Sequence, residues 1–429
     1  MFGFANFLLL ALFAAAVFDL IFALARGGGP RGALHGLWNT PHLLFGQQLA
    51  EWRLQLGRIL FAAGLAAYEI SVVFCNSMAR QNWAWVQGVM SPVLEWLAFL
   101  CFGAKILFGT RYTWRELLAG GALYFVARWV YFNSQNIWWI GIVVAVLAAK
   151  DVPLRRPLQV YFASGCAAMA VVLALHFAGI VAPDLTSERM GALRGTYGYG
   201  HPNTFGGLVF GLVLAYALLR AQKVRWVDCL LVFAVGVFLL VGPASRSAAL
   251  CTLALAVGLV FCRLRAGHSV PRWWPGTCAG MVGLTAAVSY LLPLLVIKVG
   301  PWNNDIGPAW LAKLDSLLTC RISLTWMAYR LLDVKIAGQV FNWPTVDNSF
   351  AFALFQFGPV VAALLGILFA AALWGHAKQG RRVEVCCLFA MLAYAYMEVQ
   401  PFHLTTNPTA LLLCGAVFAQ TSARWQKIE

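Results

Sequence analysis

The sequence predicts an all-α polytopic integral membrane protein with about 12–13 transmembrane helices. Of its 429 residues, 61% are hydrophobic and 11% are charged, and the mean hydropathy is +0.75. Soluble domains carry about 25% charged residues, so a water-soluble fold is excluded. A span and its connection use around 30 residues, which leaves room for a dozen helices. The apolar runs are continuous, as in LLVFAVGVFLLVG at 230–242, which excludes a transmembrane β-barrel.

Thirteen apolar runs predict the individual spans of a single membrane domain, 1–429. They cover residues 4–24, 58–79, 88–108, 116–132, 137–149, 161–182, 204–220, 227–242, 247–262, 275–297, 349–374, 383–400 and 408–421. The first run lacks a basic start and a small-x-small cleavage site, so it is interpreted as a membrane helix rather than a signal peptide. The segment 25–57 is too polar to span, and its Gly/Pro start favours an amphipathic helix at the membrane surface.

The charge distribution predicts the orientation. Lys and Arg number 31 against 16 Asp and Glu, a net charge of +15, which indicates basic cytoplasmic loops here rather than a nucleic-acid partner. In the second half the basic residues fall on alternate connections, which are therefore assigned to the cytoplasm. The longest connection left outside is 298–348, a large extracytoplasmic loop whose Lys and Arg residues go against this bias. The eleven cysteines form no CxxC pair and are expected to pack as small apolar residues.

Two outer segments carry arginines close to the predicted membrane surface. In SERMGALRGTYGYGHPNTFGG (187–207), Arg189, Arg194 and His201 precede a helix start that Asn203 could cap. Together with the first helical amides they would form an anion site, and the alternative is an ordinary Gly-rich turn. In GPASRSA (242–248), Arg246 sits between two apolar runs. It should face a polar cavity, where a lipid-linked phosphate is a suitable ligand, or else snorkel to the interface.

The outer loop 298–348 contributes a helical stretch at 320–338. Arg321 and Arg330 are nine residues apart, about 900° of helical rotation, so they lie on opposite faces. Arg330 has Asp333 at i+3, which predicts an ordinary surface ion pair. Arg321 is therefore favoured as the residue that faces a ligand.

Two further turns carry polar residues without a decisive pattern. Asp347 and Asn348 immediately precede an apolar helix and are typical of an N-cap, which needs no function. In PFHLTTNP (401–408), His403 and Asn407 lie in a tight turn between two spans, and a lone loop histidine is usually inert.

Taken in order, these residues resemble the O-antigen polymerase and ligase superfamily, over roughly 183–360. The motifs are GxxHPNxFG from Gly198 to Gly206, PxSR from Pro243 to Arg246, R-x4-W from Arg321 to Trp326, and DN-x9-G from Asp347 to Gly358. Asp347-x10-Gly358 has aspartate where the ligase branch has histidine, and Arg189-x10-Gly200 is similar to a polymerase pattern. Both features favour a Wzy-type polymerase, while Asp347, His201 and His403 all stay open as the catalytic base.

The resemblance implies a GT-C-like glycosyltransferase in the bacterial cytoplasmic membrane, with its active site facing outward. Its substrates would be undecaprenyl-pyrophosphate-linked oligosaccharides, and its partners membrane lipid, a flippase and a chain-length regulator. No outer carboxylate cluster has metal-ligand spacing, so arginines are expected to bind the pyrophosphate without metal or cofactor. The expected site residues are, for catalysis, Asp347, His201 and Arg321, and for substrate binding, Arg189, Arg194, Asn203, Arg246, Asn348 and His403.

Several alternatives stay open at this point. Tyr197, Tyr199, Trp310 and Trp326 could stack on sugars or anchor the chain at the interface. An O-antigen ligase would transfer finished polymer to another acceptor. A lipid-linked oligosaccharide flippase would carry its arginines inside a central cavity, and a peptidoglycan polymerase of the SEDS type would show motifs that are not found here.

Overall fold

The computed structural model describes residues 2–25, 29–45, 51–181, 187–189, 192–297 and 307–418. Helices dominate this part of the chain, as a lipid environment requires, because a helix satisfies its backbone hydrogen bonds internally. The first eight are α1 (Phe2–Ala25), α2 (Gly29–Asn39), α3 (Glu51–Cys75), α4 (Ala79–Asn82), α5 (Ser91–Phe108), α6 (Trp114–Ser134), α7 (Ile137–Ala148) and α8 (Arg155–Phe177). The next ten are α9 (Pro202–Leu219), α10 (Trp226–Val241), α11 (Arg246–Leu264), α12 (Trp274–Leu291), α13 (Ala309–Leu317), α14 (Arg321–Leu331), α15 (Ser349–Phe352), α16 (Pro359–Lys378), α17 (Arg382–Met397) and α18 (Cys414–Val417).

The strands are few and short. β1 (His42–Leu43) pairs antiparallel with β2 (Arg111–Tyr112), so that His42 faces Tyr112. β3 (Ser187–Arg189) pairs antiparallel with β4 (Ala192–Arg194), so that Ser187 faces Arg194. The all-α class is therefore confirmed.

Eight helices in the described part are long and apolar enough to cross a membrane, so the chain is a polytopic membrane protein. They are Gly3–Ala25, Glu51–Cys75, Val86–Phe108, Arg155–Phe177, Pro202–Leu219, Arg246–Leu264, Trp274–Leu295 and Pro359–Lys378. The predicted 12–13 spans exceed this number. Three predicted spans form shorter apolar helices, Ile137–Ala148, Trp226–Val241 and Pro408–Val417. Two more, 116–132 and 383–400, coincide with α6 and α17, which are in neither group.

Two predicted boundaries are wrong for identifiable reasons. The run 349–374 is broken at Gly358, where φ is +89° and an added Cβ would lie 2.2 Å from the Ile336 carbonyl oxygen. Only glycine fits this close backbone approach, so a new helix starts at Pro359. The prediction of an amphipathic helix in the polar segment 25–57 is partly correct, because α2 is a short helix with Ala33 and Leu37 buried on one face. The end of that segment was placed too late, since α3 already begins at Glu51.

The chain divides into two compact units, described separately below. The described residues of Met1–Arg128, Ile137–Leu208 and Ala410–Glu429 form the first, and those of Trp129–Asn136 and Val209–Thr409 form the second. In the first unit α3 packs against α5 and α8. It also buries an ion pair between Lys150 and Glu116, with Nζ 3.2 Å from Oε1.

In the second unit α11 packs antiparallel against α17, and α12 packs against α16. At one end of the first pair, the Sγ atoms of Cys262 and Cys386 are 3.5 Å apart. At the other end, Ser247 of α11 donates a hydrogen bond to Glu398, which directly follows α17. The predicted outer residues of this unit belong to the Glu398 end.

Candidate functional site

The site in the second unit is built around the end of α17. The last carbonyl groups of a helix lack partners within it and need donors from elsewhere. Three side chains from two other segments supply them: Asn348 Nδ2 donates to the Tyr396 carbonyl at 3.1 Å, Arg321 Nε to that of Met397, and Ser349 Oγ to that of Glu398 at 2.6 Å. The starts of α14 and α15 are thereby fixed to the end of α17.

Arg321 is the first residue of α14 and is held by protein acceptors. Asp315 caps the helix, because its Oδ1 accepts from the Ile322 and Ser323 amides at 2.8 and 3.2 Å. The Arg321 side chain is 6% exposed. Besides its bond to Met397, Nη1 donates to the Leu318 carbonyl at 3.0 Å and Nη2 faces two carboxylates. Most of its donors are therefore occupied within the protein.

Glu398 is the centre of this network, and the sequence analysis missed it. Its Oε1 accepts from Arg321 Nη2 at 2.7 Å and from Ser247 Oγ at 2.9 Å, and its side chain is 6% exposed. Burial raises the pKa of the Glu398 carboxyl, the Arg321 guanidinium opposes this rise, and Asp347 adds to it. The titratable or charged groups that face it include Arg321, Asp347, Cys251 and Tyr394. A carboxyl inside the predicted span 383–400 was the available signal, since such a residue needs a partner.

Asp347 is the accessible carboxylate of the site. Its Oδ2 lies 3.7 Å from Arg321 Nη2, and its side chain is 30% exposed. It is not the cap: Asn348 alone caps α15, with Oδ1 accepting from the Phe350 and Ala351 amides at 2.9 and 3.0 Å. The capping explanation for Asp347 is therefore wrong. Asn348 is buried and structural, because its Nδ2 also donates to Ser289 Oγ at 3.1 Å.

Arg246 is the accessible cation of the site. It begins α11, it is exposed, and its guanidinium has no hydrogen bond or ion pair within the described ranges. Its neighbour Ser247 contacts Glu398 directly, so Arg246 belongs to the same end of the unit as Asp347. A helix N-terminus adds positive potential there. Among the described residues, the arrangement therefore offers an accessible cation, Arg246, and an accessible carboxylate, Asp347.

Arg330 lies on the other face of α14, as predicted. It is exposed, and its guanidinium stacks over the Trp326 ring at 5.4 Å from the centroid. The predicted ion pair with Asp333 is not formed among the described residues. The physical reason is that α14 ends at Leu331, so Asp333 is no longer at helical i+3 spacing.

The turn after α17 holds His403 and Asn407 in structural positions. Asn407 is buried and donates through Nδ2 to the Pro401 carbonyl at 2.9 Å, while its Oδ1 accepts from Thr409 Oγ1. His403 is half-buried, and burial lowers its pKa, which favours the neutral ring. Neither placement suggests a cation for phosphate.

The Gly-rich segment belongs to the first unit and brings three predicted residues together. Arg194 is buried, and its Nη2 donates to Asn203 Oδ1 at 2.9 Å. His201 is exposed at the start of α9, where its carbonyl accepts from the Thr204 amide and its Nδ1 from the Asn203 amide. His201 therefore takes the capping position predicted for Asn203. Arg189 ends β3, and the position of its side chain lies outside what is described.

The aromatic residues proposed for sugar stacking divide into two groups. Tyr199 is fully buried, and Tyr197 stacks on Phe205 with ring centroids 5.0 Å apart, so both pack within the first unit. Trp310 is 55% exposed, and Trp326 is half-buried beneath Arg330. The burial of Tyr199 excludes a stacking role for that residue, whereas Trp310 has an open face.

In the described part of the chain, no group of three or more His, Cys, Asp or Glu side chains is placed to hold a metal ion. Comparison with protein-family models, curated proteins and solved structures finds no match.

Proposed function

We propose that this chain is a Wzy-type polysaccharide polymerase with a GT-C-like architecture. It would join undecaprenyl-pyrophosphate-linked repeat units by glycosyl transfer on the outer face of the cytoplasmic membrane. The observation that carries the proposal is the presence, at one end of the second unit, of an exposed guanidinium and of a carboxylate that is 30% exposed and is not a helix cap. These are the two groups that a metal-independent transfer from a pyrophosphate donor needs.

Arg246 is the proposed ligand of the pyrophosphate. Guanidinium binds phosphate oxygens bidentately and stays charged, and Arg246 stands at a helix N-terminus with no competing protein partner in the described residues. Arg321 is assigned a different part from the one expected, because its donors are engaged with Met397, Leu318 and Glu398. It contributes positive potential beside Asp347.

The proposed reaction is a single transfer at the anomeric carbon. Asp347 accepts the proton of a hydroxyl on the acceptor sugar, and that oxygen forms the new bond to the anomeric carbon of the donor. The bond from this carbon to the pyrophosphate oxygen breaks, and its electron pair leaves with undecaprenyl pyrophosphate. Arg246 stabilises the charge that develops on the leaving oxygen.

A ligase is the second candidate, because Asp347 occupies the register in which the ligase branch carries histidine. Both enzymes would use the same donor and differ in their acceptor: a second lipid-linked repeat unit for the polymerase, and a different acceptor for the ligase. Asp347-x10-Gly358 does not by itself distinguish them, since Gly358 is required by the backbone contact with Ile336.

The test is reconstitution of the purified protein in lipid with lipid-linked repeat units and a chelator. Formation of longer lipid-linked chains supports the polymerase, and Arg246→Ala is the matched inactive variant. Transfer only when a separate acceptor is added would indicate a ligase. Movement of substrate between leaflets without extension would indicate a flippase, and a requirement for divalent metal would contradict the role given to the arginines.

A further inference from the structure

One guanidinium in the second unit faces two carboxylates, and the two contacts are unequal. We propose that Glu398 is a positioning residue, which holds the Arg321 guanidinium away from Asp347 and leaves the Asp347 carboxylate able to accept a proton. The arrangement of the three side chains stands on geometry alone. Its catalytic consequence rests on the proposed function.

Arg321 has little freedom to choose its partners. Its Nε donates to the Met397 carbonyl and its Nη1 to the Leu318 carbonyl, so two of the three guanidinium nitrogens are anchored to the backbone. Nη2 is the nitrogen that lies closest to both carboxylates. The relative distances of Glu398 and Asp347 from Nη2 therefore show which carboxylate Arg321 bonds.

That nitrogen bonds Glu398 and not Asp347. The distance from Nη2 to Glu398 Oε1 is 2.7 Å, as in a charge-assisted hydrogen bond, while the distance to Asp347 Oδ2 is 3.7 Å. The second distance exceeds the range of a hydrogen bond. Asp347 therefore lies beside a positive charge, while its oxygen atoms accept no hydrogen bond from Arg321.

Removal of the Glu398 charge would change this balance. The amide oxygen introduced by Glu398→Gln accepts a weaker hydrogen bond than the carboxylate does, and a shift of Nη2 by about 1 Å would bring it into hydrogen-bond range of Asp347. A carboxylate that accepts such a bond holds protons less tightly. Asp347 would then be both a weaker base and sterically engaged.

A purely structural role for Glu398 predicts the opposite change. The Glu398 side chain accepts from Ser247 of α11 as well as from Arg321 of α14, so it joins these two helices at the end of α17. If it served only to join them, its loss would loosen the site and expose Asp347. The two explanations therefore differ in the sign of the effect on the reactivity of the Asp347 carboxyl.

The experiment measures that reactivity without substrate. The full-length protein in lipid is treated with a carbodiimide, which modifies protonated carboxyls, at one mildly alkaline pH, and modification of Asp347 is read by peptide mass spectrometry. In Glu398→Gln we expect modification to fall about tenfold, because a hydrogen bond from Nη2 favours the charged form of the Asp347 carboxyl, which the reagent does not modify. In the double variant Glu398→Gln with Arg321→Gln, modification should rise above that of the wild type.

A matched control separates this effect from general loosening. Glu116→Gln removes another buried carboxylate from an ion pair, that with Lys150 in the first unit. It should leave the modification of Asp347 unchanged. If Glu398→Gln fails to fold, Glu398→Asp keeps the charge on a shorter side chain and should give a smaller decrease.

The outcomes distinguish this inference from the proposed function. Unchanged or increased modification of Asp347 in Glu398→Gln overturns the inference, whatever the activity. The expected pattern in a protein that forms no polymer supports the arrangement and refutes the proposed function. With both intact, Glu398→Gln should lower kcat about tenfold with little change in KM, and the double variant should be more active than Glu398→Gln.

Discussion

Exchange of acid and amide at two adjacent positions separates catalysis from stability in this site. The side chains of Asp347 and Asn348 have the same shape and differ only in one terminal group, oxygen in Asp347 and NH₂ in Asn348. Their contacts in the structure are nevertheless different. Asp347 has no hydrogen bond to Arg321 at 3.7 Å and is 30% exposed, so Asp347→Asn should change the free energy of unfolding by less than about 1 kcal/mol. It cannot accept a proton, however, and loss of a general base slows the chemical step by about 10²–10⁴-fold, or about 2.7–5.4 kcal/mol.

Asn348→Asp is the matched change at the neighbouring position. The new carboxylate can still cap α15 through the Phe350 and Ala351 amides. It cannot donate to the Tyr396 carbonyl, which loses its 3.1 Å partner and faces a negative charge. An unsatisfied buried polar group costs about 1–3 kcal/mol, so this variant should lose stability.

The assay is chain extension by purified enzyme, with thermal unfolding measured on the same samples. We expect Asp347→Asn to unfold like the wild type and to extend chains at least about 100-fold more slowly. Asn348→Asp should unfold at a lower temperature and retain activity below that temperature. Near-normal extension by Asp347→Asn would refute the assignment of the base and leave His201 or His403 as candidates.

Three further predictions concern orientation, the accessible cation and pH. Cysteines introduced in 298–348 should react with an impermeant reagent from outside and those in 263–274 should not; the reverse would overturn the orientation. Arg246→Ala should abolish polymer formation without loss of protein from the membrane, Lys should rescue it only in part, and Arg330→Ala should have a smaller effect; equal losses would contradict the assignment. Burial raises the pKa of Glu398 to about 7, so its protonation as pH falls from about 8 to about 6 should weaken its hold on the neighbouring arginine and lower turnover. Glu398→Gln should lack this pH dependence.

The positions of most helices could be predicted from the sequence, because lipid leaves the backbone few alternatives. Their interruptions could not. The run 349–374 is apolar throughout, and periodicity gives no sign that its first nine residues form a separate segment. The break at Gly358 depends on close approach to the backbone at Ile336, which is a tertiary contact. The Gly358–Pro359 pair within the run was the local indication of a break.

The roles of the polar residues at helix starts were harder to predict than their positions. Asp and Asn are equally good N-caps, so adjacent Asp347 and Asn348 cannot be separated by propensity. The two residues are distinguished by the Asn348 Nδ2 atom, which donates to Ser289 in α12 and to Tyr396 in α17. Only an amide can accept from a helix start and donate to two oxygen atoms elsewhere at once. The different roles of Asp347 and Asn348 can therefore be recognised only when the positions of the neighbouring helices are known.

The ion pair between Glu398 and Arg321 could have been predicted from the sequence. A carboxylate within an apolar segment and a cation on the buried face of a helix are each costly when alone. The residues adjacent to Glu398 offer no cation, and Arg321 was favoured as the ligand-facing arginine of its helix without an acid assigned to it. The cost of an unpartnered charge could have suggested the pairing of these two residues, which lie 77 positions apart. What the pattern could not supply is the difference between 2.7 and 3.7 Å at Nη2, which makes Glu398 a hydrogen-bond partner of Arg321 and leaves Asp347 without a bond to it.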